Sequence, residues 1–198
     1  MALEKDFFRQ VMGHFATGVT VVTTNNRGTL SGLTVNAFCS VSLDPPLVLV
    51  CVDVTSNTLP LIREGGNFAV NILTDDQEPV SRCFATPSIE RYEQFCHAPY
   101  HTAVTGAPVL DDVLAFVDTR LVAEYPGGDH VIFLGQVEAM GLRHRVEFAD
   151  DEASKNSTLP TQTAADEKQA LRYPLGYYRG QYRHLSQLYS TPSIPHYE

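Results

Sequence analysis

Two periods organise the apolar residues of this chain. Near the N-terminus Phe8, Val11, Met12 and Phe15 recur at helical spacing and make one apolar face, until Gly18 breaks the pattern. From Val19 to Thr24 the residues are mostly β-branched, which predicts a strand. Asn25-Asn26-Arg27-Gly28 signals a turn, and Leu30 to Phe38 reads as the returning strand of a hairpin. Asp44-Pro45-Pro46 then stops the run, because two successive prolines impose extended or turn geometry. Leu47 to Val54 is almost continuously apolar and reads as a buried strand.

Beyond this point the elements stay short. Thr55 to Thr58 is a polar turn, and Leu59 to Glu64 a short helix ended by Gly65-Gly66. Phe68 to Leu73 predicts a strand, and Gln77 to Ala85 a helix that stops before Pro87. Leu114 to Glu124 and His130 to Ala139 predict two strands joined at Pro126-Gly127-Gly128. Residues 143–172 are polar, charged and poor in large apolar side chains, which predicts an exposed or partly disordered insert. Tyrosine-rich structure resumes from Tyr173 to Leu188. Strands do not alternate with long helices, which argues against a doubly wound parallel sheet. The elements predict a mainly β chain with peripheral helices, closed or nearly closed as an antiparallel barrel.

Composition narrows this picture. The 198 residues suffice for one sizeable core and are few for two, so a single domain spanning 1–198 is expected. A formal net charge of -9 argues against a nucleic-acid surface, while leaving room for a local basic pocket that holds a phosphate. No apolar run is long enough to span a bilayer, and Met1 to Gln10 lacks the apolar stretch of a secretion signal, so a cytoplasmic protein is expected. Cys39, Cys51, Cys83 and Cys96 form no CxxC pair, which makes metal and disulfide readings weak. Buried thiols are expected at Cys39 and Cys51. Cys96-His97 with His101 looks like a metal cluster at first sight, but Pro99 interrupts any helix that would gather them, so no metal is expected.

Candidate chemistry concentrates between Gly32 and Thr58. Gly32 and Ala37 would let a flat ligand approach the backbone closely, while Thr34, Asn36 and Ser40 offer hydrogen bonds to a heterocycle edge. Val50 to Asp53 runs into Thr55-Ser56-Asn57-Thr58 just before a helix, where hydroxyls and backbone N–H groups suit a phosphate. One hairpin-like unit thus offers a ring site and a phosphate site. Taken alone, Ser56 and Thr58 read equally as helix caps, and His130, after a Gly-Gly-Asp turn, as an exposed loop histidine.

Six pieces occur in a telling order: Phe15 to Thr24, Gly32 to Phe38, Ser40 to Val50, Phe68-Ala69-Val70-Asn71, Gly127-Gly128-Asp129-His130 and Tyr177-Tyr178-Arg179-Gly180. In them the chain resembles the flavin reductase family with the FMN-binding split barrel, the short-chain reductases of two-component monooxygenases. The resemblance runs from Phe7 to about Gly141 and resumes at Leu175. It implies a six-stranded antiparallel split β-barrel of Greek-key type and a homodimer. It implies that NADH or NADPH reduces FMN or FAD, and that a separate monooxygenase receives the reduced flavin; the alternatives are a flavoprotein that retains FMN and acts on its own substrate, and a non-catalytic flavin-binding or electron-carrier protein. It also implies roles. Thr34, Val35, Asn36 and Ala37 would line the isoalloxazine ring, with Ser40, Val41 and Ser42 near it. Cys51, Val52 and Asp53 would lie by the ring and ribityl chain. Ser56 and Thr58 would hold the phosphate, and Phe84 and Ala85 would close the site. His130, the catalytic candidate, and Tyr177 would face the nicotinamide. Direct hydride transfer between stacked rings needs positioning, and neither a nucleophile nor a metal. The chain departs from the family at Cys83, where similar proteins carry a basic residue as a phosphate or adenylate contact; here Arg82 lies one position earlier. The 143–172 insert is the second departure.

Overall fold

The computed structural model describes residues 3–142, 145–150, 157–159 and 172–184. Helix α1 (Lys5–Met12) and the two-residue β1 (Thr17–Gly18) precede a hairpin of β2 (Thr20–Asn26) and β3 (Thr29–Val35). A second hairpin pairs β4 (Phe38–Leu43) with β5 (Pro46–Asp53) around a cis Asp44–Pro45 bond. Helix α2 (Thr58–Gly65) ends at Gly66, whose φ of 67 lies in the left-handed region, and β6 (Asn67–Ile72) follows. Helix α3 (Glu78–Ala85) enters from a 3-10 turn, and α4 (Ile89–Gln94) runs into another, Phe95–His97. The short pair β7 (Tyr100–Thr102) and β8 (Pro108–Leu110) comes before the long hairpin of β9 (Ala115–Gly127) and β10 (His130–Leu142). Strand β11 (Arg145–Phe148) pairs with β10. Finally β12 (Leu175–Tyr178) and β13 (Gln181–His184) form a hairpin that pairs with β1.

The large sheet is antiparallel throughout, in the order β3-β2-β6-β9-β10-β5-β4, with β11 added on β10. Its two end strands, β3 and β4, are consecutive in the chain and joined only by Asn36 and Ala37, so the sheet has to curl back on itself. The curl encloses Val22, Leu33, Val35, Val48, Val50, Val52, Phe68, Val70 and Phe133, with Leu59 and Ile62 of α2 packed onto them. Strand β5 shows how the period of two builds this core: Val48, Val50 and Val52 point in, and Leu47, Leu49 and Cys51 point out. Buried polar groups pin the loops. The Asp118 carboxylate accepts from the N–H groups of Val104 and Thr105, each at 2.8 Å, and burial pushes its pKa up.

Five expectations change. Cys39 is exposed and Cys51 half-buried, because both lie on the outward side of their strands. The predicted Leu30 to Phe38 strand breaks at Asn36 and Ala37, because Phe38 already belongs to the strand that pairs with β5. The apolar face of α1 touches no core: the helix has no buried residue, and Phe8, Val11, Met12 and Phe15 are all more than half exposed. From Arg145 the insert runs as the strand β11, since Val146 and Phe148 alternate with charged residues; positions 143–144, 151–156 and 160–171 of it lie outside the described residues, as do 185–188 of the tyrosine-rich stretch. Cys83 and Cys96 form a disulfide with their Cα atoms 6.0 Å apart. Spacing along the chain hid this pair because the segment between them doubles back through α4. No helix among the described residues is long and apolar enough to cross a membrane.

Candidate functional site

A cavity of about 450 Å³ opens beside the end of β3, with the 53–57 turn, the α3–α4 segment and the β12–β13 hairpin around it. At the end of β3 the alternation sends Val35 into the core and leaves Thr34 and Asn36 on the cavity. The Thr34 hydroxyl donates to the Ser81 carbonyl of α3 at 2.6 Å and is therefore engaged. The Asn36 side chain has no hydrogen-bond partner among the described residues. At the end of β5 the Asp53 carboxylate accepts from the hydroxyl and N–H of Thr55, both at 2.7 Å, and these bonds hold its pKa below the ordinary aspartate value. The turn so closed presents Thr55, Ser56 and Asn57 to the cavity. The N–H groups of Ser56 and Leu59 already bond to Asp53 and Ser56 carbonyls, and that of Thr58 to the Ser56 hydroxyl. The start of α2 thus offers an anion less than its sequence suggests.

The opposite wall supplies the charge. Phe84 is fully buried, and its ring occupies the place that a side chain at position 32 would take: a Cβ on Gly32 would stand 2.7 Å from Phe84 Cε1. Gly32 therefore makes room for Phe84 and not for a flat ligand. Ala85, Pro87, Arg91 and Tyr92 continue the wall. Ser88 caps α4, its hydroxyl accepting from the Arg91 N–H at 3.1 Å. The Arg91 side chain folds inward, Nε donating to the Gly32 carbonyl at 3.0 Å and Nη2 reaching the Thr58 hydroxyl at 3.5 Å. Burial pulls its pKa below the ordinary arginine value, yet a guanidinium stays protonated at neutral pH. No carboxylate among the described residues pairs with it, so the cation is left for whatever enters. The sequence concealed Arg91, because in Ser88-Ile89-Glu90-Arg91-Tyr92-Glu93-Gln94 it reads as part of a solvated charged face. The Ser88 cap was the one local sign of a helix start.

Of the residues expected at the site, Thr34, Asn36, Asp53, Ser56, Phe84, Ala85 and Tyr177 line this cavity. Tyr177 packs edge-on against Tyr182 at 5.5 Å, and the Tyr182 hydroxyl bonds Ser81 Oγ at 2.9 Å. Val35 and Val52 are core residues. Thr58 is fully buried behind the wall, 2.9 Å from Ser31 Oγ. Ala37 is exposed in the β3–β4 link, Ser40, Val41 and Ser42 lie along the edge strand β4, and Cys51 faces outward, its thiol pushed up by burial. His130 stands at the start of β10 in register with Asp53, its Nδ1 2.8 Å from Asp129 Oδ1, and it adjoins the cavity through Asp53 without lining it.

A family model described as flavin reductase like domain matches residues 12–186. The chain belongs to the flavin reductase family. An NADH-dependent flavin reductase of Rhodococcus sp is 40% identical over 138 residues, covering 67% of this chain and 74% of that protein. The reductase component of 4-nitrophenol 4-monooxygenase/4-nitrocatechol 2-monooxygenase from Rhodococcus opacus is 39% identical over 135 residues, covering 68% and 71%. Among solved structures, the NADH:FAD oxidoreductase SgcE6 of Streptomyces globisporus C-1027, in complex with NAD and FAD fragments, matches with a TM-score of 0.70 and 29% identity over 91% of this chain and 92% of that one. The curled antiparallel sheet is thus the split barrel of the flavin reductases, with β4 and β11 extending it. In this flavin reductase the cation on the cavity comes from α4 and not from position 83, where the cysteine is committed to a disulfide.

Proposed function

We propose that this protein reduces FMN or FAD with NADH and passes the reduced flavin to a separate monooxygenase. One observation carries the reading: a single cavity joins a guanidinium that no carboxylate among the described residues pairs, an amide without a hydrogen-bond partner among them, and aromatic walls. That donor set fits a flavin nucleotide. Arg91, with the Ser56 hydroxyl and Asn57 beside it, meets a phosphate; Asn36 meets the polar edge of a ring; Phe84, Tyr177 and Tyr182 give apolar surface to the ring and keep water from it. The flavin supplies an N5 atom that accepts a hydride from the nicotinamide. The chain's part is to hold the two rings in line. His130, its Nδ1–H directed to Asp129, keeps Nε2 for the nicotinamide carboxamide. The names of the Rhodococcus relatives support NADH as donor and a monooxygenase as recipient.

A homodimer completes the reading. On the outer face of the sheet, Cys39, Leu49, Leu134 and Ala123 form one cross-strand row, and Cys51, Ile132 and Tyr125 the next. None of these is buried within the protomer, and such a row is what a second copy covers in an isologous interface.

The test is NADH oxidation followed by absorbance, with and without added FMN or FAD. The expected result is turnover that depends on added flavin. Flavin-independent turnover, or none, would overturn the assignment. The variant His130→Ala should lower kcat/KM for NADH about tenfold, one hydrogen bond's worth, with the KM for flavin unchanged; normal turnover would remove His130 from its role.

A further inference from the structure

The Cys83–Cys96 disulfide closes a segment that contains most of the charged wall, since Ala85, Pro87, Arg91 and Tyr92 all lie within it. Its ends pack on the core through Phe84 and Phe95, but the stretch between them is held mainly by Arg91 itself. Helix α4 has six residues, too few to persist alone, and Arg91 is its only buried one, while Ile89 and Tyr92 are exposed. At the far end Phe95, Cys96 and His97 follow one another with φ of 48, 54 and 51, a left-handed region that residues with a Cβ resist. Three ties keep them there: the bond from Cys96 to α3, and the Phe95 ring set edge-on against Phe84 at 5.1 Å and against Tyr100 at 5.5 Å. Phe84 is itself the neighbour of Cys83 and lines the cavity.

We infer that the Cys83–Cys96 disulfide is a positioning element for Arg91, so that affinity for the flavin phosphate depends on whether this bond is oxidised. The inference rests on the flavin reading above. Opening the bond frees the left-handed turn, α4 loses its second anchor, and Arg91 leaves its place beside Gly32 and Thr58. A dithiol supplies the two electrons: one thiolate attacks a sulfur of the bond, the second thiol displaces it by closing the reductant's own disulfide, and Cys83 and Cys96 are left as thiols carrying the two protons. In reducing surroundings such a bond is transient and reports redox state. Cys39 and Cys51 are free, so a dithiol acts on this bond alone among the four cysteines.

The experiment is titration of the purified full chain with FMN and, separately, with riboflavin, which lacks the phosphate. Oxidised protein, protein reduced with dithiothreitol, and the Cys83→Ser/Cys96→Ser double variant are compared, with near-ultraviolet circular dichroism reporting that each is folded. The expected result is a Kd for FMN raised about tenfold in the reduced and double-variant proteins, with riboflavin unchanged and kcat at saturating FMN unchanged. If the double variant does not fold, the reduced wild type decides the matter. Equal FMN affinity in oxidised and reduced protein would overturn the inference, and so would an equal loss for riboflavin. Oxidised protein that binds neither flavin would instead fail the underlying reading.

Discussion

The strand-built wall of the cavity, from Gly32 to Thr58, and the helical wall, from Phe84 to Tyr92, meet at Gly32 but are held by different means. On the strand side the backbone is fixed by pairing, β3 with β2 and β5 with both β4 and β10. Its polar groups are spent locally: Thr34 on Ser81, Asp53 on Thr55, Thr58 on Ser31. On the helical side no strand pairing exists, one buried side chain anchors α4, and a disulfide brackets the segment. Yet that side carries the charge. The stiff wall gives the cavity its shape, and the lightly anchored wall gives it affinity for an anion. Regions with few buried apolar contacts are those that open first, so the affinity of the site sits where the structure is easiest to change.

The sharpest way to break this contrast is at the cation. Arg91→Ala should weaken FMN binding by about 2–3 kcal/mol, roughly 30- to 150-fold, and leave riboflavin almost untouched; Arg91→Lys, without the planar fork, should fall between. Fluorescence titration reads this directly. If Arg91→Ala binds FMN normally, the phosphate sits on the Ser56–Asn57 turn, and the division of labour between the walls is wrong.

The fold and the site were legible to different degrees, for physical reasons. Strands β2 and β6 announced themselves as runs buried on both faces, and β5, β9 and β10 as runs whose side chains alternate between buried and outward positions, with turn residues at their ends. The cavity residues at Thr34, Asn36, Asp53 and Ser56 followed from the same regularity together with the family resemblance. Arg91 did not, because a single arginine in a polar hexapeptide carries no mark of the direction in which it folds. The Cys83–Cys96 pair was equally silent, since only the doubling back of the chain brings them together. The face of α1 was read as apolar, but no periodicity tells whether such a face is covered by the same chain or by another.

A second, smaller effect tests the seam between the walls. Gly32→Ala would put a methyl 2.7 Å from the Phe84 ring, against backbone that β2 and Arg91 already hold. Overpacking of this kind costs about 1–3 kcal/mol, and at this chain length each kcal/mol lowers Tm by about 2–4 °C. Adding Phe84→Leu should recover part of the loss, since neighbours in contact do not add. Strictly additive Tm shifts would show that Gly32 and Phe84 do not bear on each other, and that the two walls are independent.

The smallest effect belongs to Asp53, and it separates the walls by pH. The Thr55 hydroxyl and N–H favour the carboxylate, so the folded pKa lies below the unfolded one. The stability of the turn is therefore fully present above the ordinary aspartate range and is lost as pH falls through the lower folded value. Arg91, on the other wall, holds its charge throughout. Beyond the fall that protonation of the FMN phosphate itself imposes, FMN affinity should stay level from neutral pH through the ordinary aspartate range and soften only below it. Asp53 is exposed, so the change at pH 5 should be less than about twofold. In Asp53→Asn the side-chain oxygen still accepts from Thr55 but no longer titrates, and the acid softening should vanish. A softening below the aspartate range that survives in Asp53→Asn would lie outside the turn, and would remove Asp53 from the acid response of the site.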